Sequence, residues 1–226
     1  MGEMIAETHC RLKGKETYAV IICGGEVLDY KSASGKVTPG AFVICADSGY
    51  RHCKGLGLSP SLLVGDFDSI ISLPDGVPTV RLPADKDYTD TAFAATEAVD
   101  MGFTDILFIG IGGGRPDHTV ANLQTMAGLS RRGIRTSATD GVSDMLMFTT
   151  PIQGAILKIP RRESCYFSVL AFGGTCMGVT ITGAKYPLDH YNLSDGDPRA
   201  VSNEFVGGDA LVTLDEGTVL IIITRE

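Results

Sequence analysis

The sequence predicts an α/β N-terminal domain with a mostly parallel sheet, followed by an all-β C-terminal domain that forms a sandwich or a barrel. Before residue 138, buried strand-like runs alternate with helical segments, as in parallel sheets covered by helices. After it, short strand-like segments follow one another, separated by Gly, Pro and Asp. We place the boundary within residues 138–143, which gives domains 1–140 and 141–226.

The strands and helices of the N-terminal part follow from local patterns. Residues 85–102 are typical of a helix that Asp87 can cap, and residues 115–133 of a second helix with Pro116 in its first turn. Each of these segments ends on a glycine. The predicted strands are the apolar or β-branched runs Thr17–Gly25, Ala41–Asp47, Ser61–Asp66, Thr79–Pro83 and Asp105–Gly114.

Composition narrows the class of protein. The chain has 226 residues, 44% of them hydrophobic, which is enough for one large domain or two small ones. Its formal net charge of -8 argues against nucleic acid or a membrane surface as partner, because neutralising phosphates needs clustered Lys and Arg. Met1–Lys15 lacks the apolar stretch of a secretory signal, and no apolar run reaches the about 18 residues of a membrane span. We therefore expect a cytoplasmic protein.

The cysteines predict neither a disulfide framework nor a zinc site. The six cysteines form no CxxC pair and no Cys/His spacing typical of zinc. Cys23 and Cys45 lie in apolar strand-like runs, so we expect buried free thiols.

Aspartates follow the predicted strands repeatedly. In an open α/β sheet, ligands bind beyond the carboxyl ends of the strands. Carboxylates that share this edge repel one another unless a cation gathers them, and Mg²⁺ is usually held by one or two carboxylates plus substrate phosphates. We therefore expect a Mg²⁺-nucleotide site formed by these residues: Asp47, Asp66, Asp68, Asp85, Asp87, Asp90 and Asp117.

Asp66 and Asp68 are the most informative pair. In extended backbone, residues two apart point to the same side, so the two carboxylates are expected to crowd one face. A cap of the next turn needs only one of them. Structural alternatives stay open elsewhere, because Asp47 can cap the following helix and Asp87 with Asp90 resembles a reciprocal capping pair.

A glycine loop, residues 109–118, separates a strand from a helix start. Its backbone amides and the helix dipole can receive a phosphate, and Arg115 adds a fork of donors. The loop matches neither GxGxxG nor the Walker pattern, so it predicts no dinucleotide or P-loop site. His118 either touches the ligand or bonds locally within the helix.

Together these motifs make the chain resemble the thiamine pyrophosphokinases. Their order and approximate spacing match that family, and they span nearly the whole sequence. The motifs are ADSG (46–49), GDFDSI (65–70), DKDYTD (85–90), GGGRPDH (112–118) and SNE (202–204).

The resemblance implies an activity and an assembly. It implies that the pyrophosphoryl group of ATP is transferred to the hydroxyethyl oxygen of thiamine, giving thiamine diphosphate and AMP. It also implies an ATP-binding catalytic domain, a β-rich thiamine-binding domain, and a homodimer whose thiamine sites lie between subunits. Two other functions stay open: a Mg²⁺-dependent nucleotide pyrophosphohydrolase and a non-catalytic module that senses nucleotide or thiamine.

The resemblance also implies a role for particular residues. Catalysis falls to Asp66, Asp68 and Asp90, and the metal to Asp47, Asp66 and Asp68. The implied ATP contacts are Asp47, Lys86, Arg115, Asp117 and His118, and the implied thiamine contacts are Asp90, Ser202 and Asn203. Many family members present a tryptophan near thiamine, and this chain has none. Tyr186 or Phe205 can stack instead, because a cationic thiazolium is attracted to any aromatic face.

Overall fold

The chain folds into two compact units. The computed structural model describes residues 5–7, 18–67, 74–83, 87–152 and 156–226, and of residues 5–7 only the backbone. One unit, the α/β unit, comprises residues 11–126 and 137–142. The other, the β unit, comprises residues 1–10, 127–136 and 143–226. The domain limits 1–140 and 141–226 stay a prediction.

Strands and helices alternate over the first part of the chain. The strands are β1 (Ile5–Glu7), β2 (Tyr18–Ile22), β3 (Phe42–Ala46), β4 (Leu62–Gly65), β5 (Thr79–Arg81), β6 (Asp105–Ile109) and β7 (Arg135–Thr139). The helices are α1 (Tyr30–Ser34), a 3₁₀ helix (Asp47–His52), α2 (Cys53–Leu56), α3 (Asp90–Asp100) and α4 (Pro116–Arg131).

The α/β unit contains a parallel sheet in the strand order β6-β2-β3-β4-β5. Its central strand β2 is fully buried, and Val20 pairs with Val43 of β3 and Leu107 of β6. From β2 the chain builds outward through β3, β4 and β5, and then returns to add β6 on the other side of β2. The gap between β2 and β6 is therefore a topological switch point, where open α/β sheets bind ligands. The predicted mostly parallel sheet is confirmed.

The β unit is a sandwich of two sheets. Its later strands are β8 (Ser143–Thr150), β9 (Ile156–Ile159), β10 (Cys165–Ala171), β11 (Cys176–Thr182), β12 (Leu188–Leu193), β13 (Asn203–Glu204), β14 (Ala210–Thr213) and β15 (Gly217–Arg225). One sheet has the order β1-β9-β14-β11-β12, and the other contains β13-β10-β15-β8. All pairs are antiparallel except β1 with β9. Both sheets contribute to one buried core, for example through Leu157 and Phe167, so the all-β prediction is confirmed.

The predicted helix cap, Asp87, is wrong, and the structure does not support the alternative that Asp47 is a cap. Helix α3 begins at Asp90, and its N-cap is Thr89, whose hydroxyl accepts the Ala92 amide at 3.1 Å. The predicted cap, Asp87, lies before this turn. Asp47 does not occupy an N-cap either: that position is Ala46, and Asp47 is the first residue of the 3₁₀ helix. The predicted start of α4 at Pro116 is confirmed.

The segment after β4 is not extended, so the argument that placed Asp66 and Asp68 on one face is wrong. Strand β4 ends at Gly65, and Phe67 has a φ of 61°, in the left-handed region. Its ring is buried, and this burial holds the strained backbone in place. The alternation of extended chain therefore stops before Asp68, which lies outside the described residues.

The predicted free thiols are confirmed in the part of the chain that the structure describes. Cys23, Cys45, Cys53, Cys165 and Cys176 are all free, and all but Cys165 are buried. Among the same described residues, no helix is long and apolar enough to cross a membrane.

Candidate active site

A cavity of about 320 Å³ lies at the carboxyl end of the parallel sheet, within the α/β unit. Its volume falls within the about 300–1,000 Å³ of typical small-molecule sites. The loops after β2, β3 and β6 and the start of α3 form its walls, so it coincides with the switch point. The lining residues are Cys23, Gly24, Gly25, Glu26, Ala46, Asp47, Ser48, Arg51, Thr89, Asp90, Thr91, Ile111, Gly113, Gly114, Arg115, His118 and Asn122.

Close backbone packing builds one wall of this cavity. The Gly25 amide donates to the Gly110 carbonyl at 2.9 Å. A Cβ on Gly25 would lie 2.2 Å from the Gly112 carbonyl oxygen, and a Cβ on Gly24 would lie 2.1 Å from the Ser48 hydroxyl. The turn after β2 therefore needs glycine at Gly25, where backbone oxygens leave no room for a side chain, whereas at Gly24 only the Ser48 hydroxyl would have to rotate away.

A buried histidine fixes the same turn from the 3₁₀ helix. His52 Nε2 lies 2.8 Å from the Gly25 carbonyl oxygen, and the Tyr30 hydroxyl lies 2.7 Å from His52 Nδ1. Burial lowers the pKa of His52, so the ring is neutral near pH 7. A carbonyl oxygen can only accept, so the shorter contact places the proton on Nε2, and Nδ1 accepts the Tyr30 proton. With this tautomer, Nε2 has no lone pair for Arg51 Nε, which lies 3.3 Å away.

Two predicted carboxylates, Asp47 and Asp90, line this cavity, and a third, Asp66, is not among its lining residues. Asp47 and Asp90 line the cavity from the ends of β3 and the start of α3. Asp66 follows β4, the parallel neighbour of β3. A Cβ on Gly65 would lie only 3.0 Å from Asp47 Cα, so the exit of β4 passes directly beside Asp47. Asp47 has a φ of 43°, a conformation that aspartate tolerates better than most residues.

These carboxylates fit Mg²⁺ delivered with a phosphorylated substrate. In the described ranges, no group of three or more His, Cys, Asp or Glu side chains is arranged to hold a metal ion. Mg²⁺ commonly uses only one or two carboxylates and completes its shell with phosphate oxygens and water. Asp47 and Asp90 supply hard oxygen ligands of that kind in the cavity.

The glycine loop brings two predicted ATP residues to the cavity, Arg115 and His118. Arg115 already has a partner, because its Nε and Nη2 donate to the two carboxylate oxygens of Asp117 at 3.2 and 2.5 Å. The guanidinium lowers the pKa of Asp117. Both side chains are largely exposed, at 71% and 62%. Asp117 is not among the residues that line the cavity, and Lys86 lies outside the described residues.

The four predicted thiamine residues of the C-terminal part lie in the β unit. Asn203 is fully buried, and its side chain bonds the backbone of Tyr186 twice: Nδ2 donates to the carbonyl at 2.7 Å, and Oδ1 accepts the amide at 3.0 Å. Oδ1 also accepts the Glu204 amide at 3.1 Å. Asn203 therefore holds the segment that carries Tyr186.

The two candidate aromatic rings differ in exposure. Tyr186 is 55% exposed, and the Lys185 ammonium lies 5.6 Å from its ring centre. Phe205 is half-buried and packs on the ring of Phe167, centroid to centroid 4.7 Å. Ser202 is exposed, has a φ of 55°, and donates its amide to the Ser168 hydroxyl at 3.0 Å.

Sequence reasoning missed several lining residues. Their shared signal is position, because most lie within a few residues of a strand end or of Asp90, where only aspartates, the glycine loop and its flanking residues were considered. Asn122 carried a different signal, a polar residue on the buried side of α4: it is 6% exposed and donates to the Ile111 carbonyl at 2.8 Å. The missed polar residues are Glu26, Ser48, Arg51, Thr89, Thr91 and Asn122.

The fold and the site define a class of protein: a two-unit α/β and β-sandwich protein with an acidic, glycine-walled cavity at the switch point of its parallel sheet. Two family models match successive parts of the chain. The model of the thiamin pyrophosphokinase catalytic domain matches residues 38–137, and that of the thiamin pyrophosphokinase vitamin B1 binding domain matches residues 155–219. The chain belongs to the thiamine pyrophosphokinase family.

Individual relatives agree with this assignment. The thiamine pyrophosphokinase of Bacillus subtilis (strain 168) is 27% identical in an alignment of 208 residues, and the match covers 89% of this chain and 96% of that protein. A crystal structure of thiamine pyrophosphokinase from Bacillus subtilis superposes with a TM-score of 0.82 at 24% identity, covering 93% of this chain and 100% of that one. The yeast thiamin pyrophosphokinase structure gives 0.72 at 15% identity, covering 97% and 90%. At these identities the two structures show a shared fold.

Proposed function

We propose that this protein transfers the pyrophosphoryl group of ATP to the hydroxyethyl oxygen of thiamine, giving thiamine diphosphate and AMP. The observation that carries the proposal is the cavity at the switch point, where Asp47 and Asp90 face a backbone wall of glycines. This cavity lies largely within the segment that matches the thiamin pyrophosphokinase catalytic domain. Its size and its mixture of carboxylates and arginines suit a metal-neutralised phosphate chain.

Asp47, which lines the cavity, is a described residue that would hold Mg²⁺, and the family resemblance adds Asp66 and Asp68. When bound, Mg²⁺ neutralises negative charge on the phosphate oxygens. Gly113 and Gly114, with φ values of 86° and 63°, let the loop backbone lie close to a phosphate without interfering side chains. Helix α4 begins directly after this loop, so its dipole also favours an anion there.

Asp90 is the candidate for orienting the attacking alcohol. It is the first residue of α3, and the Thr89 cap fixes that turn beside the cavity. Because the phosphoryl-transfer transition state is loose, little proton removal is needed early in the reaction. Its main contribution is therefore to hold the hydroxyl in line with the phosphorus, and proton acceptance follows.

For thiamine, the proposal relies on the family resemblance and on the exposed ring of Tyr186. A thiazolium cation can lie on that ring by a cation–π contact. Asn203 contributes by holding the Tyr186 backbone, since all three of its hydrogen bonds go to main-chain atoms. The proposal also includes a cytoplasmic homodimer with thiamine sites between subunits. Sedimentation velocity tests the dimer, and a single monomeric species at working concentration would contradict it.

The deciding experiment measures AMP and thiamine diphosphate from MgATP, with and without thiamine, by chromatography of one reaction. We expect AMP to form only with thiamine, and in equal amount to thiamine diphosphate. AMP without thiamine would instead assign a pyrophosphohydrolase. Saturable ATP binding without AMP would assign a non-catalytic nucleotide or thiamine sensor.

A further inference from the structure

Two arginines line the cavity among its described residues, and their electrostatic surroundings differ. The guanidinium of Arg115 forms a two-pronged ion pair with Asp117, so a carboxylate already compensates its charge. The guanidinium of Arg51 donates from Nη2 to the backbone carbonyls of Gly24 and Gly25. In the part of the chain that the structure describes, no carboxylate forms an ion pair with Arg51. The positive charge of Arg51 is therefore not compensated by a paired carboxylate at the cavity.

The short helix that carries Arg51 also aims it at the cavity. In a 3₁₀ helix, residues three apart eclipse each other and share one face. Ser48 and Arg51 are three apart in the helix Asp47–His52, and both line the cavity. The carbonyls of the Gly24–Gly25 turn hold the guanidinium in place, so part of the entropy cost of ordering this long side chain is met before a ligand binds.

The charge of the cavity makes such a cation necessary for an anionic ligand. Its described lining includes three acidic side chains, Glu26, Asp47 and Asp90, and Asp117 neutralises Arg115 from outside. A polyphosphate that enters this lining needs positive charge beyond that of its own Mg²⁺. Arginine suits this role because its planar fork can bond two phosphate oxygens at once.

We infer that Arg51, rather than Arg115, is the arginine that binds the phosphate groups of the nucleotide. The inference rests on the proposed function only in taking ATP as the nucleotide. It adds a binding residue outside the sequence motifs, and it ranks the two arginines by their existing partners.

The test compares Arg51→Gln with Arg51→Lys by calorimetric titration of MgATP. Glutamine loses the charge and is too short to reach the Gly24 and Gly25 carbonyls as Nη2 does, whereas lysine keeps the charge but loses the fork. We expect the dissociation constant of MgATP to rise about tenfold or more for Arg51→Gln, and by a smaller factor for Arg51→Lys. Arg115→Gln is the comparison variant, because Arg115 also lines the cavity, and we expect it to raise the constant by a smaller factor than Arg51→Gln does.

Two results would overturn the inference. If Arg51→Gln binds MgATP as the parent does, the side chain only anchors the glycine turn. If Arg115→Gln weakens MgATP binding more than Arg51→Gln does, Arg115 is the arginine that binds the phosphate groups. Adenosine, which lacks phosphate, is the second probe: its affinity should be equal in the parent and Arg51→Gln, and a parallel loss would reveal a damaged cavity instead.

This readout is separate from the proposed activity. A parent protein that binds MgATP but forms no thiamine diphosphate would refute the proposed reaction, while the arginine ranking would still be decided by titration. Steady-state kinetics of an active parent adds a check, since Arg51→Gln should raise KM for ATP and leave KM for thiamine within about twofold.

Discussion

The two candidate binding regions are built in opposite ways. In the α/β unit, backbone forms the cavity wall, because Gly25 packs against the loop after β6 at distances that exclude a Cβ. In the β unit, one buried side chain does the comparable work, since Asn203 bonds both backbone groups of Tyr186. We therefore expect the first region to be disturbed by substitutions that add side-chain atoms, and the second by substitutions that remove them.

The two regions also differ in the role of their polar side chains, which face the ligand cavity in one region and stabilise the backbone in the other. Charged side chains line the cavity of the α/β unit, whereas the polar side-chain atoms of Asn203 in the β unit form hydrogen bonds with main-chain atoms. Substitutions in the first region should change rate constants with little change in stability. Substitutions in the second should change stability first and ligand affinity through it.

The largest effect is expected for Asp47→Asn. The substitution removes one negative charge from the cavity and keeps the shape, and asparagine also tolerates the left-handed backbone at this position. We expect kcat to fall by about 10²- to 10³-fold, the range for removing one preorganised electrostatic group, with the melting temperature unchanged within a few degrees. Asp100→Asn, at the exposed end of α3, is the matched control and should retain the parent rate.

Asn203→Ala tests the other region. It removes the partner of three backbone bonds at a fully buried position, so we expect the free energy of unfolding to fall by about 2–3 kcal/mol in urea titrations. KM for thiamine should rise with it, because the Tyr186 segment loses its anchor. Asn192→Ala is the control, since that side chain is exposed and accepts one amide, from Gly178. Equal losses in the two variants would contradict the anchoring role.

Several features of the fold and site follow from sequence because local rules specify them. Strand runs ended by Gly or Asp predicted the parallel sheet, and the rule for carboxyl ends led to Asp47 and Asp90. The extended backbone assumed after β4 was predicted wrongly, because the left-handed φ of Phe67 depends on burial of its ring.

Other features depend on contacts between distant segments, which sequence patterns do not encode. The hydrogen bond to the Gly25 carbonyl joins His52 to a turn 27 residues away, and the Asn203 contact joins strand β13 to a loop 17 residues away. Arg51 lay in a segment read as an ordinary helix, and only the packing of two loops shows that it faces the cavity. The sequence predicted the location of the chemistry more reliably than the residues that support it.

A smaller effect is expected from Tyr186→Ala and Phe205→Ala, compared side by side. Tyr186 is 55% exposed and available for a cation, so its loss should raise KM for thiamine about tenfold with little change in stability. Phe205 packs on Phe167, so its loss should lower the free energy of unfolding by about 2 kcal/mol. Should Phe205→Ala give the larger rise in KM for thiamine, the stacking role would move to that ring.

The smallest effect is the pH dependence contributed by His52. Burial lowers the pKa of His52 in the folded protein, so between about pH 6.5 and this lower value the unfolded chain binds more protons. The free energy of unfolding should therefore decrease as the pH falls through this range, because the neutral ring that donates to Gly25 is favoured only in the folded state. Urea titrations at pH 7.5 and 5.5 should show a smaller decrease for His52→Gln, whose amide can still donate but does not titrate. An identical pH dependence in the two proteins would show that folding does not lower the pKa of His52, which would contradict this prediction.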